Sequence, residues 1–230
     1  MGRALFATLV SGALGLAAFS AQAAALAIVL AIDVSASVTA DSYVLQHDGI
    51  ARAFADTRLI DAIGAAPGGI EVLVLEWSDP DKIAVTVDWR LLADARSARA
   101  FAAALRATTR SSSGTTAIGP ALLAAAAQFD RLPEAAARRV IDISGDGMAN
   151  FGVAPAAARD RVTAAGIVVN GLAILTEEPW LEDYFRRNVI GGPGAFVFAA
   201  QTFDSFAAAI LRKLVQEVAG SAPATLGQIQ

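Results

Sequence analysis

The chain has no cysteine, one histidine and two lysines. Without cysteine there is no disulfide framework, no thiol nucleophile and no cysteine-ligated zinc. The single histidine, His47, excludes a centre built on several imidazoles, and it would have to serve any catalytic triad alone. No Gly-x-Ser-x-Gly elbow accompanies it. The lysines, Lys82 and Lys213, are outnumbered by arginine in an alanine-rich chain, which reads as bacterial GC-rich codon usage rather than physics. Charge is also sparse. Only 17% of residues are charged, the net charge is −4 and the isoelectric point is about 5.0, so nothing suggests a nucleic-acid binder. What is abundant is apolar surface: 55% hydrophobic residues and a mean hydropathy of +0.52 exclude a disordered chain. The 230 residues suffice for one sizeable domain.

Part of that hydrophobicity sits at the start. Arg3 gives a short positive segment, 4–19 is an apolar and small-residue run, and Ala21-Gln22-Ala23 fits a small-x-small cleavage site. Residues 1–23 are expected to be a signal peptide, with a domain over 24–220 and a polar tail over 221–230. No other run is apolar enough to span a bilayer, so the mature chain is expected to carry no membrane span. A periplasmic or secreted bacterial protein follows.

Along the domain, apolar runs alternate with amphipathic ones. Strands are expected at 24–33, 70–78, 82–89, 139–144, 167–175 and 195–199. Helices are expected at 39–63, 94–107, 117–131, 155–165, 179–189 and 204–218. Asp79-Pro80-Asp81 makes a hairpin of the second and third strands. The fold class is therefore α/β: a three-layer, doubly wound, mostly parallel sheet of Rossmann type with one antiparallel edge strand. In such sheets ligands bind beyond the carboxyl ends of the strands.

Those ends carry the chemistry. The first strand runs out through Asp33-Val34-Ser35-Ala36-Ser37, and the 139–144 strand through Gly145-Asp146-Gly147. Between them in sequence lies the loop holding Thr115 and Thr116. Two carboxylates and at least three hydroxyls on one rim are hard oxygen donors, suited to Mg²⁺, Mn²⁺ or Ca²⁺ rather than zinc or copper. The same residue types could also merely cap helices and form turns. Glu76, Ser78 and Asp79 end the second strand and could join the site or simply turn the hairpin. Glu177, Glu178 and Trp180 follow the 167–175 strand, as rim residues or a helix-start acidic cluster. Phe151 reads as an exposed anchor or a loop plug, and His47 as an ordinary surface or satisfied histidine. Gly191-Gly192-Pro193-Gly194 precedes a strand and is a poor phosphate cradle.

The set Asp33-x-Ser35-x-Ser37, a distant Thr and a distant Asp-Gly resembles the von Willebrand factor type A (vWA) domain and its metal-ion-dependent adhesion site. The family's Gly-x-Ala-Leu helix start selects Thr116, with Thr115 as runner-up, and its Asp-Gly pair selects Asp146. The stretch 184–196 also resembles a bacterial exported subfamily of this fold whose function is unassigned. The resemblance implies a metal, Mg²⁺ or else Mn²⁺ or Ca²⁺, held directly by Ser35, Ser37 and Thr116. Asp33 and Asp146 would act directly or through water. It implies a non-enzymatic module that captures an Asp or Glu carboxylate of a protein partner. Two alternatives compete: a metal-free structural or oligomerisation domain, and a Mg-dependent phosphohydrolase of haloacid dehalogenase type. The latter usually needs a second Asp where this chain has Ser35, which cannot act as a general acid at neutral pH.

Overall fold

The computed structural model describes residues 23–220. The expected signal peptide, apart from Ala23, and the expected tail lie outside the described residues. Six strands form one sheet: β1 (Ala24–Asp33), β2 (Ile70–Trp77), β3 (Ile83–Leu92), β4 (Ala136–Gly145), β5 (Val168–Ile174) and β6 (Val197–Ala200). Their spatial order is β3-β2-β1-β4-β5-β6; all neighbours are parallel except β2 and β3. Among the described residues, seven α-helices complete the layers: α1 (Ala40–Ala55), α2 (Thr57–Ala65), α3 (Ala95–Arg106), α4 (Ile118–Gln128), α5 (Pro155–Ala164), α6 (Leu181–Asn188) and α7 (Phe203–Ala219).

The β1 sequence explains the sandwich. All ten of its residues are buried, and from Leu26 to Ile32 they divide with period two. Leu26, Ile28, Leu30 and Ile32 face a core shared with α1, α2, α3 and α7. Ala27, Val29 and Ala31 face a second core under α4, α5 and α6. A strand with two buried faces cannot alternate apolar with polar, so it reads as a continuous apolar run.

The structure departs from the expected elements at three boundaries, and at the first two a side-chain cap sets the new one. The single helix expected at 39–63 is two, because Asp56 is extended (ψ 137°) and its carboxylate accepts the Arg58 amide, starting α2 afresh. The third strand continues past Trp89 to Leu92, where the Asp94–Ser97 capping box begins α3. The helix expected at 117–131 ends at Gln128, and Phe129–Arg131 tightens into a 3-10 turn.

Charge is also buried against α7. Lys213, Asp142 and Glu217 are each at most 3% exposed. The Lys213 ammonium pairs with Asp142 on β4, and Glu217 accepts hydrogen bonds from Arg138 and Asn170. Burial pushes the Glu217 carboxyl up, with Lys213 opposing. These pairs fix α7 on the sheet, since removing one partner would strand a buried charge.

Candidate metal centre at the sheet edge

β1 and β4 lie side by side, yet the chain leaves β1 toward β2 and leaves β4 toward β5. The crevice where the winding reverses lies beyond their carboxyl ends. Ile32 is in register with Ser144, so Asp33 and the Gly145–Asp146 turn emerge together.

The geometry begins with Asp33, which is fully buried. Its Oδ1 accepts the Ser35 amide at 2.7 Å, curling the chain so that Ser35 and Ser37 fall beside it. The Ser35 and Ser37 hydroxyls are 3.1 Å apart, and Ser37 donates to Asp146 Oδ1 at 2.7 Å. Two loops 109 residues apart are thereby joined through four side chains that carry only hard oxygen. Thr116 is also buried and is tied to the Asp146 loop: its amide donates to Asn150 Oδ1 (2.9 Å), and the Asn150 amide returns a bond to its carbonyl (3.1 Å). Thr115 is held elsewhere, since its amide and hydroxyl both donate to Asp79 Oδ1.

The electrostatics are those of a site short of positive charge. Asp33 Oδ2 is buried without a hydrogen-bond partner among the described residues. Burial, followed by repulsion from Asp146, pushes the Asp33 carboxyl up to about 7, with Ser35 and then the Asp146 main chain partly offsetting both. Burial likewise raises Asp146, against the hydrogen bond from Ser37. A Cβ added at Gly145 would come within 2.9 Å of Asp33 Oδ2, so the last residue of β4, just before Asp146, must be bare. An orphaned buried carboxylate oxygen, a second acid and clustered hydroxyls fit a hard divalent cation. No group of three or more His, Cys, Asp or Glu that could hold a metal occurs among the described residues, so a cation here would rest on two acids and neutral hydroxyls.

Two residues that support the first loop, Arg110 and Gln46, carry no local sequence signal. The Arg110 guanidinium donates to the carbonyls of Val34 (2.8 Å) and Ser35 (2.9 Å), pinning the first loop from behind. The Gln46 amide group donates to the Asp33 carbonyl at 3.1 Å. Glu76 faces inward: it accepts from the Ser111 amide (2.7 Å) and Tyr43 (3.0 Å), and His47 Nε2 lies 3.1 Å away. Burial pushes the Glu76 carboxyl up, but His47 and Ser111 outweigh it and hold it below its ordinary value. Glu76 and His47 thus form a buried brace between α1, β2 and the serine-rich loop. Ser78 bonds Ser112, and Asp79 closes the hairpin turn with Lys82 while holding Thr115. Phe151 is exposed, as are Glu177 and Trp180.

Comparison with solved structures places the fold. The vWF domain of the type V pili tip protein Mfa5 from Porphyromonas gingivalis matches with a TM-score of 0.59 at 10% identity, over 90% of this chain and 99% of that one. The pilus adhesin SpaC from Lactobacillus rhamnosus GG, in an open conformation, matches with a TM-score of 0.62 at 16% identity, over 86% of this chain and 30% of that one. Proximal thread matrix protein 1 from the mussel byssus, solved with a zinc-occupied MIDAS motif, gives 0.59 at 20% identity, over 84% of this chain and 46% of that one. This chain thus spans less than half the length of the last two. At such identities the likeness shows the fold alone, and that fold is vWA-like. No curated protein sequence matches the chain. The sequence pattern of the family described as "Protein of unknown function (DUF1194)" matches residues 23–222, and the chain belongs to that family.

Proposed function

We propose that the protein is an exported, metal-dependent protein-binding module, in which Asp33, Ser35, Ser37, Thr116 and Asp146 hold a divalent cation. The observation that carries this reading is the buried, partnerless Oδ2 of Asp33 beside Asp146. A carboxylate kept out of water without a counter-charge is costly unless something cationic joins it. A bound Mg²⁺, Mn²⁺ or Ca²⁺ would supply a Lewis-acidic position able to accept a carboxylate oxygen of a partner protein.

The chain's own residues do the rest. Ser35 and Ser37 offer neutral hydroxyl oxygens, so two acids would balance a dication without quenching its attraction for a further anion. Arg110 and Gln46 hold the main chain of the Asp33 loop, and Asn150 locks the Thr116 and Asp146 loops together. These bonds pre-set the geometry, which lowers the ordering cost of binding. The adhesin and pilus-tip proteins that share the fold accord with an interaction role.

Thermal melting tests the reading. A cation that binds only the folded chain raises its melting temperature in proportion to the logarithm of concentration over Kd. Millimolar Mg²⁺ or Mn²⁺ is expected to raise the wild-type midpoint by several degrees and to leave Asp146→Ala unmoved, with both folded in chelator. A wild-type curve indifferent to both metals refutes the proposal.

A further inference from the structure

Four of the seven large apolar side chains exposed among the described residues stand in the two loops beside Asp146. Met148, Phe151 and Val153 follow it in the β4–α5 loop, and Trp180 lies in the β5–α6 loop. Phe151 is 57% exposed and Trp180 48%. Clustered large apolar groups at a rim mark interaction surfaces, whereas scattered ones do not.

The two loops are firmly held. The Ala149 amide donates to the Tyr184 hydroxyl, against whose ring Trp180 stands edge-on at 6.5 Å. The Met148 main chain offsets part of the rise that burial gives the Glu178 carboxyl, so the two loops face each other there. Asn150 is bonded to Thr116 in both directions. Gly152 takes a positive φ (82°), and a Cβ there would meet Pro120 at 2.6 Å. Rigid aromatic groups bind with little entropy to lose. The serine-rich loop on the β2 side is polar: the Ser111 amide donates to Glu76 and the Ser112 hydroxyl bonds Ser78, and Ser111, Ser112 and Ser113 stand beside Asp81 and Lys82 at the hairpin. Exposed Glu177, acting on both Asp146 and Glu178, makes the apolar side acidic as well.

We infer that this one-sided apolar rim selects the partner: a protein segment with a single Asp or Glu flanked by a large apolar side chain that settles on Phe151 and Trp180. The inference rests on the proposed cation site. The same short loop supplies Asp146 and Phe151, so a carboxylate held at the cation brings its chain neighbours over the aromatic rim. The field of Glu177 and Glu178 disfavours further acids in that segment, because like charges face each other at short range. Phe151 and Trp180 are specificity residues in this account and do not touch the metal.

Calorimetry on the purified protein with capped peptides tests it. Gly-Trp-Asp-Trp-Gly, Gly-Gly-Asp-Gly-Gly and Gly-Trp-Asn-Trp-Gly are compared at saturating Mn²⁺ and again in chelator. The Trp-Asp-Trp peptide is expected to bind at least about tenfold tighter than either of the others, as a buried aromatic anchor allows. Chelator should abolish the binding. In Phe151→Ser/Trp180→Ser the advantage over the glycine peptide should fall below about threefold, with Mn²⁺ affinity unchanged. Equal binding of the two Asp peptides, or a preference that survives in the double variant, overturns the inference while leaving the cation site standing. Failure of Mn²⁺ to bind without peptide removes both.

Discussion

Replacing Asp33 by Asn should stabilise the protein in chelator and at the same time abolish its response to metal. The carboxylate is fully buried and its pKa stands at about 7 against an ordinary 3.8. Between those values the folded chain keeps a proton that the unfolded chain has released. Stability therefore falls as pH rises from about 4 to about 7, and stays low above. A difference of about three in pKa corresponds to about 4 kcal/mol. An amide cannot ionise, and its oxygen can still accept the Ser35 amide. Its buried NH₂ takes the place of the partnerless oxygen at a cost of about 1–3 kcal/mol. The net gain above pH 7 is about 2 kcal/mol, which for a chain of this size moves the melting midpoint by about 4–8 °C. The assay is thermal melting of both proteins in chelator from pH 4 to pH 8, then at pH 8 with Mg²⁺. The Asp33→Asn variant should melt at or below wild type near pH 4, above it near pH 8, and should ignore the metal. A variant less stable than wild type at pH 8 in chelator would refute the reasoning, because the buried carboxylate would then be favourable as it stands.

Arg110→Ala removes both donors to the Val34 and Ser35 carbonyls; a loss of about 1.5–3 kcal/mol per bond to a charged group is the upper scale, and Mn²⁺ affinity by calorimetry should weaken at least about tenfold. Gly145→Ala forces a methyl to 2.9 Å from Asp33 Oδ2; the midpoint in chelator should fall by about 1–3 kcal/mol equivalent and Mn²⁺ binding should weaken with it. Lys213→Met leaves Asp142 charged and buried, costing about 3–5 kcal/mol in urea unfolding, and adding Asp142→Leu should restore most of that loss.

The fold is legible in the sequence because its signals are local. Apolar runs ending on Asp33 and Ser144, the Asp79-Pro80-Asp81 turn and Pro155 at a helix start each declare themselves within a few residues. Helix α2 escapes such a reading because Ile50, Phe54 and Ile63 keep the apolar periodicity going across Asp56, whose capping role shows only in its backbone angle. At the site, Asp33, Ser35 and Ser37 are readable from their spacing, and Asp146 from an Asp-Gly turn after a strand. Arg110, Gln46 and Asn150 are not. Arg110 acts on main-chain carbonyls 75 and 76 residues away, and such bonds leave no pattern in the sequence around it. Lys213 and Glu217 leave a weak trace, two charges four apart on the buried side of α7, which composition alone passes over.

Anomalous diffraction from crystals of the protein grown with Mn²⁺ bears on the central claim most directly. The account predicts one strong peak at the carboxyl ends of β1 and β4, bonded to the Ser35, Ser37 and Thr116 hydroxyl oxygens and flanked by Asp33 and Asp146. Crystals that show manganese elsewhere, or none beside Asp33, contradict it.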